Sequence, residues 1–351
     1  MGLLNYRNFE RCLFHPDQGI NFLTGANAQG KTNLLEAVLM VLTGRPMRGA
    51  QESYLVNGHA ASGGLKTEIH RGGVDDVVEV RLTREDRKIR INGREAGSGQ
   101  LPGPAAVSLF TPADLSLVQG SPQERRRFID LELSALDRSY AGIWRRYQRA
   151  LWQKNKAVLA QRARGPDTEV WDEQLALYGS KIMILRNLWL ASFGREAGEL
   201  YREISGDGTL AVELTASCAG GQGLEEKEVL ESLREALGSG RDDQGPAAVG
   251  PHRDDLVLGV GGMNARYSSS QGEQRTVALC LRLAGHGLRR RELGEDPLLL
   301  LDDAFYELDQ RRRERLMGVI AGAGQVLATS VSAPGTGIGR VFNIEGGSIS
   351  G

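Results

Sequence analysis

The segment GANAQGKT at 25–32 restricts the fold of this 351-residue chain more than any other feature. It satisfies the spacing G-x-x-x-x-G-K-[ST] at every fixed position, with an apolar strand, INFL, running in and an apolar helix, NLLEAVLMVL (33–42), running out. Gly25 and Gly30 let the main chain close on anionic oxygens, and the loop they bracket (Ala26, Asn27, Ala28, Gln29) forms the cradle. The dipole at the start of the helix adds attraction for negative charge. Lys31 is placed to reach the β- and γ-phosphates of a nucleotide such as ATP, and the Thr32 hydroxyl to ligate Mg²⁺.

A loop of this kind needs an acidic strand beside it. PLLLLDD (297–303) provides one, with four leucines for a strand buried on both faces and Asp302 and Asp303 at its carboxyl end. Asp302 is expected to hold the Mg²⁺, directly or through water, and Asp303 to orient or deprotonate an attacking water. Lys31, Asp302 and Asp303 are therefore the candidate catalytic residues, and the expected fold class is α/β, a P-loop NTPase.

Between these elements lies SSSQGEQRTVALCLRLA (268–284), where a Ser-x-Gly-Glu turn caps an apolar helix. It resembles the signature of ABC-type ATPases, with Ser270 and Gly272 in its serine and glycine positions. That resemblance implies that the element completes the nucleotide site of a second subunit, giving a head-to-tail homodimer with two ATP molecules sandwiched at the interface. YELDQRRRERL (306–316) fits the neighbouring D-loop, with Asp309 implied at the dimer interface.

The ATPase lobe is expected to be split, 1–120 and 245–351, around a mainly helical insertion at 121–244. From about Leu65 to Glu95 the pattern is strand-like, with Asn92-Gly93 in a hairpin turn. Leu136, Tyr140, Ile143 and Tyr147, then Trp171, Leu175, Tyr178, Ile182, Leu185 and Trp189, recur at alternating spacings of three and four. Two such seams joined by a Gly-Pro turn predict an antiparallel helical pair. TLAVELTA (209–216) reads as a strand, and GSGRDDQGP (238–246) as a polar, mobile segment. The formal net charge of −1 means that any nucleic-acid surface is a local patch. Three scattered cysteines, Cys12, Cys218 and Cys280, give neither a disulfide frame nor a zinc site. With no apolar run long enough to span a membrane and no secretory signal, a cytoplasmic protein is expected.

NYRNF (5–9), TGANAQGKTNLLEA (24–37), LFTPADLSLVQGSPQERRRFID (109–130), VGPHRDDL (249–256), SSSQGEQRT (268–276) and LLDDAFYELDQRR (300–312) together resemble the RecF family, in its order and over nearly the whole chain. The family is similar to the heads of SMC-type proteins without their long coiled coil. The resemblance implies an ATP-switched protein of recombinational repair that binds duplex DNA near single-strand gaps and helps RecA load, with RecO and RecR as partners. Arg7 is implied to lie near the nucleotide. Several positions depart from the family pattern: Ala26 and Ala28 replace residues commonly Glu and Gly, Glu273 replaces Gln, and Tyr306 replaces a small residue. No histidine follows the strand QVLATS (325–330), so Thr329 or Ser330 has to stand in for it. With Asp303 shorter than the usual Glu, hydrolysis is expected to be slow, well under the roughly 10 s⁻¹ typical of enzymes.

Arginine and lysine cluster at 125–127, at 145, 146 and 149, at 154 and 156, at 289–291 and at 311–313. Any one cluster reads first as a solvated helix face. Arg145, Arg146 and Arg149 are the candidates for a wall of a duplex groove formed when two heads join. The HRDD stretch (252–255) reads as a structural turn or an interface loop rather than a second metal site. The rivals to a DNA-binding switch are a transporter ATPase subunit, which the VGPHRDDL segment and the helical arm argue against, and a passive DNA scaffold, which intact Lys31, Thr32, Asp302 and Asp303 argue against.

Overall fold

The computed structural model describes residues 1–47, 52–58, 60–159, 166–218, 225–238, 247–333 and 337–351. The chain forms two compact units, Met1–Asp114 with Leu281–Gly351, and Leu115–Cys280.

The first unit begins with β1 (Gly2–Tyr6), β2 (Phe9–Leu13), β3 (Ile20–Thr24) and α1 (Lys31–Thr43). Then come β4 (Ser62–Arg71), β5 (Val74–Thr83), β6 (Arg87–Ile91), β7 (Arg94–Ala96) and β8 (Val107–Phe110). In the second unit follow α2 (Ser116–Gln119), α3 (Pro122–Leu136), α4 (Arg138–Leu159), α5 (Pro166–Ser205), β9 (Leu210–Thr215), α6 (Glu226–Gly238), β10 (Asp255–Val260), β11 (Met263–Asn264) and α7 (Ala265–Ser268). The unit boundary falls inside α8 (Gln271–Leu293), and the first unit ends with β12 (Leu298–Leu301), α9 (Gln310–Ala321), β13 (Val326–Ser330), β14 (Arg340–Glu345) and β15 (Ser348–Ser350).

Two six-stranded sheets build the first unit. One is antiparallel, in the order β2-β1-β4-β5-β6-β7, and the other runs β15-β14-β3-β13-β12-β8 with all neighbours parallel except the β14–β15 pair. The apolar runs INFLT and LLLL occupy interior positions of the parallel sheet, as strands covered on both faces must. Asn21, buried in β3, is tolerated because its amide donates to the Asp17, Gly19 and Val326 carbonyls and accepts from the Asp17 N–H. Helix α1 joins one core with both sheets: Leu34, Val38 and Val41 share it with Leu65, Val78 and Leu82 of the antiparallel sheet and with Leu23, Leu300 and Leu327 of the parallel one. Apolar residues on most sides of α1 are the sequence signature of that placement. Asn92 and Gly93 both take positive φ between β6 and β7, the geometry a two-residue hairpin requires.

The second unit is organised on α5, 40 residues and so about 60 Å long. Helix α4 lies antiparallel to it: Tyr140 bonds to Arg186, Tyr147 packs at Gly179, and Lys154 pairs with Asp172. None of the ten seam residues is exposed, and Tyr140, Tyr147, Leu175, Ile182 and Trp189 are buried. Pro166, expected in the turn, instead opens α5, where its missing N–H falls among groups a helix start leaves unbonded anyway. Gly165 and most of the polar segment 238–246 lie outside the described residues.

The C-terminal boundary of the insertion differs from the expected residue 244. Strand β10 pairs with β9 over six residues, Asp255↔Thr215 to Val260↔Leu210, so it belongs with the strand at 209–216 and carries 247–280 into the second unit.

The HRDD stretch is structural. Arg186, fully buried, bonds to Asp130 at 2.7 Å, to Asp254 at 3.1 Å and to the Pro251 carbonyl at 2.6 Å, and its guanidinium faces the Trp144 ring. Tyr140 donates to Asp130, and Arg125 clamps Asp255 with two bonds of 2.8 and 2.9 Å. The buried Tyr147 hydroxyl hydrogen-bonds His252 Nδ1 at 2.6 Å, and Nε2 of the same ring donates to the Ala247 carbonyl at 2.9 Å. Gly250, at φ +130°, sits where a Cβ would lie 2.3 Å from the Tyr147 hydroxyl, so this turn admits only glycine.

Candidate nucleotide site

The parallel strands β3, β12 and β13 end at one edge of their sheet, where ligands of open α/β sheets bind. The 25–30 loop leaves that edge after β3. Gly25 has φ +142° and a Cβ there would be 2.3 Å from the Ile344 carbonyl oxygen; Gly30 has φ +114° and its Cβ would strike the Asn8 amide at 2.6 Å. Ala28 also has positive φ, 65°, where a glycine is strain-free; its methyl group stores about 1 kcal/mol of backbone strain. Ala26, Asn27 and Ala28 are exposed at the loop's tip, while Gln29 is braced from behind: its carbonyl accepts from Asn8 Nδ2 at 2.8 Å and its Oε1 from the Gly346 N–H at 2.7 Å.

Lys31 is buried and folds back over the loop, its ammonium bonding to the Gly25 and Ala26 carbonyls at 2.6 and 2.8 Å. A phosphate entering the loop offers this ammonium stronger, charged acceptors than those carbonyls. The Thr32 hydroxyl reaches Asp302 at 2.9 and 3.1 Å from its two oxygens, across 270 residues of sequence. Thr329 completes the arrangement. Its buried hydroxyl donates to Asp302 Oδ1 at 2.9 Å and accepts the Asp303 N–H at 2.8 Å, so one side chain fixes a carboxylate and the backbone of the next residue. Asp303 takes φ +51°, a left-handed conformation that aspartate tolerates better than most residues. A cavity of about 150 Å³ opens beside Asp303 and is lined in part by Tyr306, Arg313, Thr329 and Ser330.

Thr32 and Asp302 present hard oxygen donors within 3.1 Å of each other, which fits a Mg²⁺ that completes its shell with water and phosphate oxygens. Among the described residues no group of three or more His, Cys, Asp and Glu side chains could hold a metal by itself. Arg7, also at positive φ, is tied to Glu36 of α1 at 2.8 Å and to the Tyr54 carbonyl at 3.0 Å.

Ser270 and Gly272 belong to the second unit, at the start of α8, with Ser270 exposed. Asp309 is the N-cap of α9, accepting the Arg312 N–H at 2.9 Å, a bond that holds its carboxyl below the ordinary aspartate range. Arg145, Arg146 and Arg149 are exposed on α4, with Arg146 stacked 5.9 Å from the Tyr178 ring centroid. In three of the other basic clusters one member is internal: Arg125, Lys154 and Arg289 are buried, while Arg127, Lys156, Arg290 and Arg291 stay exposed. NYRNF holds both Asn8, the brace behind the loop, and Arg7, the partner of Glu36, yet nothing local in it signals that they meet α1 and its loop.

The sequence pattern of the RecF/RecN/SMC N-terminal domain matches residues 1–336. The chain is 38% identical to the DNA replication and repair protein RecF of Pelotomaculum thermopropionicum, over 99% of this chain and 98% of that one. This chain belongs to the RecF family. It is also 35% identical to the RecF of Desulforamulus reducens, over 100% of this chain and 97% of that one. A solved RecF, a recombination mediator of the RecFOR pathway in its RecF-ATPrS form, superposes with a TM-score of 0.83 at 30% identity, covering 99% of this chain and 96% of the other. The Smc head of Pyrococcus furiosus superposes with a TM-score of 0.63 at 14% identity, over 99% and 94% of the two chains, which shows a shared fold. As a RecF-family member the chain is a protein of DNA replication and recombinational repair. Among its described residues no helix is long and apolar enough to cross a membrane.

Proposed function

We propose that this RecF-family chain is a cytoplasmic, ATP-switched DNA-binding protein: ATP binding closes two copies on duplex DNA near single-strand gaps, and slow, DNA-stimulated hydrolysis opens them. The reading rests above all on the hydrogen-bond chain Thr32–Asp302–Thr329–Asp303, which joins the phosphate loop to the acidic strand. Solved relatives described as RecF-ATP and RecF-ATPrS support ATP as the ligand.

In this mechanism residues 25–30 hold the phosphates through main-chain N–H groups, and Lys31 exchanges its two loop carbonyls for β- and γ-phosphate oxygens. Thr32 and Asp302 would hold a Mg²⁺, whose chemistry there would be to neutralise phosphate charge. Asp303, fixed through its N–H by Thr329, orients the attacking water and takes its proton. Arg7, held by Glu36, contributes positive charge on the nucleotide side of α1. Ser270 and Gly272 of a second copy cover the γ-phosphate, with Asp309 at the same interface. Arg145, Arg146 and Arg149 line the DNA path, and RecO and RecR join the assembly that assists RecA loading.

Duplex affinity measured with and without Mg-ATP tests this function. ATP should tighten binding, and Lys31→Met should remove the ATP effect; DNA binding indifferent to ATP and to Lys31→Met would establish a passive scaffold instead. Replacing Arg145, Arg146 and Arg149 with alanine should weaken binding and flatten its salt slope by about one unit per lost phosphate contact. An unchanged affinity and slope would remove those arginines from the DNA path.

A further inference from the structure

The signature serine is already engaged by an anion of its own chain. Ser270 opens α8, and both of its donors turn to one oxygen of Glu273: the N–H at 2.8 Å and the hydroxyl at 2.9 Å from Oε2. The Glu273 N–H approaches Ser270 Oγ in return at 3.4 Å, so the pair forms a capping box. The turn behind it is firmly set. The buried Gln274 donates its amide to the carbonyls of Ala265 and Arg266, at 3.1 and 3.0 Å, and accepts from Gln119 at 2.6 Å. Ser270 is exposed on the solvent side of this frame.

We propose that Glu273 competes with the γ-phosphate for Ser270, so that the nucleotide sandwich closes only when this carboxylate leaves the serine. The inference rests on the reading that Ser270 meets the nucleotide of a second copy. A phosphate oxygen approaching Ser270 needs the same hydroxyl and N–H that Glu273 holds, and it brings a second negative charge to the carboxylate. Donors bound to one anion are withdrawn from another, and like charges at hydrogen-bonding distance repel. A glutamine at 273 would keep the cap, because its amide oxygen can accept from Ser270, while its NH₂ offers a donor where the natural residue presents charge. Glu273 therefore acts as a positioning residue that raises the threshold for dimer closure. The fold keeps its two copies apart until ATP, and whatever else favours closure, outweighs it.

The test is sedimentation velocity on the full chain over a protein concentration series with saturating Mg-ATP, for the natural protein, Glu273→Gln, Glu273→Ala and Ser270→Arg. ATP affinity of the monomer and thermal unfolding are measured alongside. Glu273→Ala, which frees both Ser270 donors, should favour the dimer by about tenfold per site, or about 1.4 kcal/mol, and Glu273→Gln, which removes the charge but leaves an acceptor on Ser270, should favour it by a smaller factor, both with monomer ATP affinity unchanged. Glu273→Gln should also retain the natural unfolding temperature. If the natural protein dimerises with ATP and neither substitution strengthens the dimer, the competition is refuted while the trans role of Ser270 stands. If only Glu273→Gln strengthens it, the gain comes from the new amide donor, and the competition is again refuted. If no variant dimerises with ATP, the trans reading itself fails, and the inference with it.

Discussion

Two aspartate pairs, one in each unit, carry the same dipeptide and have opposite fates. Asp302 and Asp303 follow β12; Asp254 and Asp255 lead into β10. Asp302 is nearly as buried as Asp254, at 2% against 0% exposure. The difference lies in what meets them. Asp302 is gripped by the hydroxyls of Thr32 and Thr329, which orient a carboxylate without lending it positive charge. Asp254 meets the guanidinium of Arg186, and Asp255 that of Arg125. A carboxylate set by hydroxyls keeps its appetite for a cation, whereas one set by arginine is committed to the fold. Burial and sequence alone do not separate the two; the charge of the partner does.

This contrast breaks most visibly at Arg186. Arg186→Leu leaves Asp130 and Asp254 buried without their shared cation, and should destabilise the chain by about 3–5 kcal/mol in a urea titration. A loss under about 1 kcal/mol would mean that the cluster relaxes onto water and is not the tie that its geometry describes. Asp302→Asn makes the reciprocal case. An asparagine oxygen can still accept from both threonines, so the midpoint of unfolding should hardly move, while ATP turnover falls about a hundredfold or more, some 2.7 kcal/mol in the barrier. Turnover within a factor of two of the natural rate would place the metal ligand elsewhere.

A smaller effect sharpens the comparison from the hydroxyl side. Thr329→Val removes the donor to Asp302 and the acceptor for the Asp303 N–H in one step, and should lower turnover by about tenfold. Thr329→Ser, which restores the hydroxyl, should recover most of that loss. If valine and serine behave alike, the hydroxyl is not what positions the acidic pair.

The same pairs show what a sequence displays and what it hides. The phosphate loop, the buried strand before Asp302 and the cap at Ser270 were legible because each is a local pattern: a fixed spacing of glycines, an unbroken leucine run, a serine three residues before a glutamate. The seams of α4 and α5 were legible for the same reason. Arg186 was not. It lies 68 residues from Asp254 and 56 from Asp130, and an arginine inside an apolar period looks like a surface residue until its partners arrive. Thr329 was half legible. The missing histidine pointed to Thr329 or Ser330, yet only the register of β13 beside β12 puts the Thr329 hydroxyl against both aspartates. The boundary at Leu281 was hidden because the pairing of β9 with β10 spans a stretch the sequence reads as an ending.

The central claim is that ATP bound at the 25–32 loop draws two copies together through the signature. Light scattering of the natural protein and of Ser270→Arg, with and without Mg-ATP, tests it most directly. Mg-ATP should double the mass of the natural protein, and Ser270→Arg should bind nucleotide yet stay a monomer. A natural protein whose mass ignores ATP, or a Ser270→Arg variant that dimerises as readily, would contradict it.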